Sequence, residues 1–272
     1  MECIFCGQIK RATREHVYPV WVRKGLGATG PTTITRTKPA INLTRQEKTT
    51  GLTWVLHHSI CRDCNTGWMS TKLEDEVKDC LLPAMLGQWA AFSVEQQRLI
   101  AAWAVKTALL FELKAKEDGG QVTLAPQSNL NWLYQHREHP EAPLGSQVWI
   151  AAVDAELGTV DAQPGWHNVT TSLPPFDMQF YAVTFAVGYL VFQVIGQDFR
   201  ESDHQTPSGG PLYVHQRPDW LLEYVNSIWP ARSEVIDWPR SRRFKRADLS
   251  RFAGFEGTMA ARLVPFPRLG QS

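Results

Sequence analysis

Hydrophobic positions recur at helical spacing in two stretches of the chain and with the shorter rhythm of strands in its later half. Between Met69 and Met85, the residues Met69, Leu73, Val77, Cys80 and Leu81 fall three or four apart, which lines them along one face and predicts an amphipathic helix. Cys80 lies on that stripe and reads as a buried, inert thiol. A second helix is predicted from Ser93, whose hydroxyl can cap while Gln96 reaches back, to about Lys116, with Leu99, Ile100, Trp103, Leu110 and Phe111 as its apolar positions. Asp118-Gly119-Gly120 stops it.

Beyond that stop, segments 147–154, 158–163, 167–172, 178–186 and 189–197 read as strands, with the last two joined as a hairpin at Val187-Gly188. Pro218-Asp219 opens a short helix running to about Ile228, and 240–272 reads as a basic helix followed by proline-broken coil. The stretch 25–53, rich in Gly, Thr and charge, reads as a loop. These elements predict an α+β chain with a first unit over 1–88 and a larger unit of helix and antiparallel sheet over 89–272.

Composition narrows the class. The chain has 272 residues, 43% of them hydrophobic and 20% charged, enough apolar mass to build a core and exclude a disordered chain. No run of about 18 uncharged apolar residues suggests a membrane span, and MECIFCGQIK lacks the layout of a secretory signal. A soluble, cytoplasmic protein without a membrane partner is therefore expected. The eleven tryptophans read as core filler rather than as a ligand cleft. Net charge is only +1, yet in residues 1–72 eleven Lys and Arg stand against four Asp and Glu, a surplus suited to a phosphate backbone. Arg240, Arg242, Arg243, Lys245 and Arg246 form a second basic cluster.

Two C-x-x-C pairs, Cys3-Ile4-Phe5-Cys6 and Cys61-Arg62-Asp63-Cys64, supply four thiolates. In a compartment where disulfides do not persist, tetrahedral zinc accounts for them best. Full occupancy by four sulfurs leaves no open position for substrate, so such a site is structural.

Between and beside these pairs stand Arg14-Glu15-His16-Val17-Tyr18-Pro19 and, directly after Cys64, Asn65 at the start of a helical run, a position where Asn also serves as a cap. This arrangement, over residues 3 to about 75, resembles the HNH endonuclease family, whose ββα-metal fold carries an acid and a His, then an apolar residue and Pro, on its first strand. The resemblance implies a metal-dependent endonuclease that hydrolyses phosphodiester bonds in double-stranded DNA, in the bacterial or phage setting of defence or mobile elements. It further implies His16 as general base, and Glu15 and Asn65 as oxygen ligands of a catalytic divalent cation, Mg²⁺ or Mn²⁺. The family's central Asn falls on Leu56 here, with His57 or His58 as the nearest substitutes and His57 favoured; a further metal-binding position of some relatives is Met69.

The alternative expectation is a non-catalytic zinc-ribbon module in which the basic surface holds nucleic acid or an acidic protein. His136-Arg137-Glu138 matches the H-x-E of zinc deaminases, but both C-x-x-C pairs lie upstream of it, so it reads as helix-surface charge. The later unit matches no motif, leaving recognition, sensing and oligomerisation equally open.

Overall fold

A computed structural model describes residues 1–27, 32–38, 43–49, 54–117, 125–154, 162–163, 171–173, 176–178, 180–197, 213–215, 223–239, 242–245 and 261–263. The first part of the chain runs β1 (Glu15–His16), α1 (Val20–Gly25), β2 (Thr32–Lys38), β3 (Leu43–Thr49), β4 (Val55–Leu56), α2 (Asp63–Glu74) and α3 (Asp75–Met85). Strand β5 (Ala90–Phe92) leads into α4 (Val94–Glu117) and α5 (Gln127–Gln135). The remainder is strand: β6 (Gln147–Asp154), β7 (Ala162–Gln163), β8 (Thr171–Leu173), β9 (Phe176–Met178), β10 (Phe180–Val187), β11 (Leu190–Gln197), β12 (Tyr213–His215), β13 (Val225–Trp229), β14 (Ile236–Trp238), β15 (Phe244–Lys245) and β16 (Ala261–Leu263). The chain is α+β, as the patterning predicts.

The main sheet has the order β13-β6-β11-β10-β7, with neighbours antiparallel, and β15 lies parallel to the end of β6. Across it runs α4, whose residues from Ile100 to Phe111 are all buried, because the helix is covered on more than one side. Trp103 meets Phe185 and Phe192 of the sheet and Trp21 of α1. Phe111 meets Phe185 together with Tyr18 and Trp54 from the first part of the chain. One apolar core therefore runs without a break across residue 88, and burial of these rings supplies much of its stabilisation. The predicted cap of α4 is formed: Ser93 Oγ accepts the Gln96 N–H at 3.2 Å and Gln96 Oε1 accepts the Ser93 N–H at 2.9 Å.

Four sequence expectations are corrected. Helix begins at Asp63, two residues ahead of the start read at Asn65 and well before the apolar stripe from Met69, because the second cysteine pair leads straight into it and the Asn65 N–H already bonds the Cys61 carbonyl at 3.1 Å. This first helical segment, α2, is wound wide, and Gly67 leaves helical geometry at φ −88°, ψ −116°. The stretch read as a loop over 25–53 contains the antiparallel pair β2 and β3, where Thr32↔Thr49 and Lys38↔Leu43 bracket the register; Thr and Ile, β-branched, favour the extended backbone that Gly and charge seemed to oppose. The short helix expected up to Ile228 is, from Val225, strand β13, drawn into extension by pairing with β6; 218–222 lie outside the described residues. The basic tail is extended at Phe244–Lys245 for the same reason, and 246–260 lie outside the described residues. Parts of the strands predicted at 158–163 and 167–172 also lie outside them.

The β10–β11 turn docks on the end of α3. Tyr189 donates its N–H to the Met85 carbonyl at 3.0 Å, and Gly188 sits at φ +60° with no room for a Cβ against that same oxygen. Gly188→Ala is expected to cost about 1–3 kcal/mol in a denaturant melt. Gly27→Ala, also at positive φ but in open space, should lose less.

Candidate metal centre and the His16 strand

Two turns bring the four cysteines together. In the first, Gly7 at φ +66° closes the chain so that its N–H reaches the Cys3 carbonyl at 2.8 Å. A side chain is disfavoured at that angle, which accounts for glycine one residue after Cys6. The second turn is the start of α2 itself. Between them, Ile4 N–H meets Ser59 O at 3.1 Å and Ala12 bridges Cys61, so the distant segments are tied by backbone before any metal is considered. All four Sγ atoms lie within 4.8 Å of one another. The Cys6–Cys61 pair is 3.8 Å apart, which matches the edge of a tetrahedron with bonds of about 2.3 Å to zinc.

The electrostatics suit a cation. Burial works against charge on Cys3, yet N–H groups of Cys6, Cys61 and Phe5 outweigh it and bring the thiol down to about 7. Burial pushes Cys61 up, and it pushes Cys64 up further, aided by neighbouring sulfur charge on Cys3 and Cys61. A divalent ion at the centre would relieve that repulsion. Among the described residues, this is the one group of three or more His, Cys, Asp and Glu placed to hold a metal. These four side chains would hold zinc as a closed structural shell. Outside the cluster, Lys10 and Asp63 pair at 2.6 Å across the two turns, an exposed contact that solvent screens.

Strand β1 lies beside this centre and pairs with β4, with Glu15 opposite Leu56 and His16 opposite Val55. Alternation sends the two side chains to opposite faces. His16 is half-buried; burial first, then the Arg23 charge and more weakly that of Arg14, hold its imidazole below the ordinary value, while Glu74 pulls the other way. Glu15 is 5% exposed. Its carboxylate lies 4.0 Å from Lys106 Nζ, and that ammonium, fully buried on α4, donates to Glu74 Oε1 at 2.6 Å.

Asn65 stands one turn into the helix rather than at its cap, and its Nδ2 donates to the Arg14 carbonyl at 2.8 Å. Its side chain thus reaches the residue preceding Glu15. His57 and His58 lie beyond the end of β4, both exposed, while buried Leu56 keeps the position opposite Glu15. Their backbone N–H groups turn to Glu117 at the end of α4, which accepts from His57 at 3.2 and 3.3 Å, from His58 at 3.2 Å and from the Ser59 hydroxyl at 3.0 Å. His57→Ala and His58→Ala are expected to change stability by less than about 0.5 kcal/mol in a melt, since the backbone holds Glu117 unaided.

His136 follows the end of α5 and stacks on Trp132 at 4.0 Å, a structural placement. Cys80 is partly buried, donates to the Val77 carbonyl at 3.1 Å, and is pushed up to about 12 by burial, consistent with an inert thiol.

Sequence reasoning missed Lys106 and Glu74. Lys106 carried a signal: it is the only charge in the stretch Ile100–Phe111, and a charge in the middle of a wholly apolar helix needs a buried partner. Glu74, among several other charges, carried none.

No family model matches the chain, and neither a curated protein nor a solved structure matches it. Among the described residues, no helix is long and apolar enough to cross a membrane.

Proposed function

We propose that the chain is an HNH-like endonuclease that hydrolyses phosphodiester bonds in double-stranded DNA, with His16 as general base. One observation carries this reading: a half-buried imidazole, held neutral by its surroundings, stands on a strand tied to the four-cysteine centre and flanked by Arg14 and Arg23. In the proposed reaction, the unprotonated ring nitrogen takes a proton from water, the resulting hydroxide attacks phosphorus, and the P–O bond to the sugar oxygen breaks. That oxygen takes a proton from solvent, while the imidazolium returns its own to solvent. The two guanidinium groups are the nearest charges suited to the added negative charge on the phosphate. The surplus of Lys and Arg in residues 1–72 supports a nucleic-acid substrate.

The Mg²⁺ or Mn²⁺ expected from Glu15 and Asn65 fits these residues poorly. The Glu15 carboxylate faces the Lys106 ammonium, so no step is routed through that ion; Asn65 donates its Nδ2 to the Arg14 carbonyl, a bond that does not involve its Oδ1.

The test is plasmid cleavage by zinc-loaded protein. His16→Ala is expected to lower cleavage about 100-fold or more with metal content unchanged, and wild-type activity should persist to pH values below about 6.5, the ordinary imidazole range. An unchanged rate in the variant would end this reading.

The buried Glu15–Lys106–Glu74 contact favours a second reading, a non-catalytic zinc-ribbon module that binds nucleic acid or an acidic protein. It predicts salt-sensitive DNA binding that survives His16→Ala, without cleavage by the wild type.

A further inference from the structure

We infer that the cation of the corner formed by β1, α2 and α4 is the Lys106 ammonium itself, and that this ammonium excludes a divalent metal from the Glu15–Glu74 carboxylates. The claim stands whether or not the chain cuts nucleic acid.

The geometry is that of a filled site. Lys106 Nζ lies 2.6 Å from Glu74 Oε1 and 4.0 Å from Glu15 Oε1. The lysine is fully buried, Glu15 nearly so and Glu74 mostly. A divalent ion bound by either acid would need an oxygen within about 2.0–2.4 Å, in a space where a positive charge already stands. Two cations there would repel across a poorly screened interior. Nor can the lysine swing aside cheaply: it is enclosed by a helix buried from Ile100 to Phe111, and a buried ammonium without its partner pays a heavy desolvation cost. Around His16, whose imidazole is held below its ordinary value, the charges are those of Arg23, Glu74 and Arg14, and neither guanidinium can serve as a metal ligand. Glu15 and Glu74 are therefore the only acids the corner offers among the described residues, and both face the lysine.

The experiment titrates Mn²⁺ into zinc-loaded protein and follows free Mn²⁺ by its EPR signal, with a thermal melt alongside. Wild type is expected to take up no Mn²⁺ that depends on Glu15 and to show no shift in melting temperature. Lys106→Gln, which frees both carboxylates, is expected to bind one Mn²⁺ per chain at least about tenfold more tightly than wild type and to be stabilised by it. Adding Glu15→Gln to that variant should abolish the uptake. Wild-type uptake of one Mn²⁺ that Glu15→Gln removes would overturn the inference, as would a folded Lys106→Gln protein that still ignores the ion. If Lys106→Gln fails to fold, the wild-type and Glu15→Gln titrations decide alone. Because the readout is binding, failure here is distinct from failure of the nuclease assay.

Discussion

A Cys61→Ser protein is expected to lose its metal and to unfold at a much lower temperature than wild type. Cys61 is fully buried, its sulfur lies 3.8 Å from Cys6 Sγ and its N–H points to Cys3 Sγ at 3.4 Å. Serine there would keep the backbone contacts but offer a poor ligand and leave three crowded thiols around a buried hydroxyl. Structural zinc in small domains contributes on the order of 10 kcal/mol of folding free energy, comparable to the whole stability of a typical domain, about 5–15 kcal/mol. The damage should spread, because Tyr18 and Trp54 from the part that carries the four cysteines pack on Phe111 of α4. A single cooperative transition is therefore expected in calorimetry, lowered as a whole on chelation of wild type or in the variant. Cys80→Ser is the control: its thiol lies outside the cluster and bonds Val77 locally, so the metal content should stay at one per chain. Retention of the metal by Cys61→Ser, with an unchanged melt, would refute the assignment.

The four-cysteine cluster was legible because its chemistry is local. Two pairs at the same short spacing declare four ligands, and which residues meet follows from tetrahedral valence rather than from the rest of the fold. Helix α4 was legible for a related reason, since its cap and its apolar positions lie within the helix itself. The elements that failed are those whose conformation is decided by a distant partner. Val225–Trp229 becomes a strand because β6 has a free edge, and nothing within those five residues announces that edge. The start of α2 was read two residues late, at Asn65, because Asp63, Cys64 and Asn65 show no helical apolar period.

The His16 strand was only half legible. The HNH resemblance placed Glu15 and His16 on a strand, and the pairing with β4 agrees. That resemblance aimed the Glu15 carboxylate at a catalytic cation and said nothing of the Lys106 ammonium 4.0 Å from it. The placement of that carboxylate depends on Lys106, 91 positions away on α4, and on a core that draws residues from both sides of position 88. The lone charge in an apolar helix was the available clue, and it identifies a need for a partner without naming one.

Lys106→Met should be the most damaging single change that leaves the cysteines intact, costing about 3–5 kcal/mol near pH 8. The methionine fills the volume, so the cost is electrostatic: Glu74 loses its buried counter-charge and Glu15 its only nearby cation. The penalty should depend on pH. In wild type, burial, partly offset by Lys106 and reinforced by Glu74, raises Glu15 from its ordinary 4.5 to about 8. The folded state then holds a proton that the unfolded chain releases. Stability from this group is complete below about pH 4.5, falls as pH climbs toward 8 and is level beyond, with a slope of at most about 1.4 kcal/mol per pH unit. Glu15→Gln should remove that slope. Lys106→Met should steepen or extend it, because two carboxylates left facing each other resist ionising together. Urea melts of the three proteins at pH 5 and pH 8 would measure both effects. A Lys106→Met penalty that is the same at both values, or below about 1 kcal/mol, would mean that the ammonium is not held between these acids.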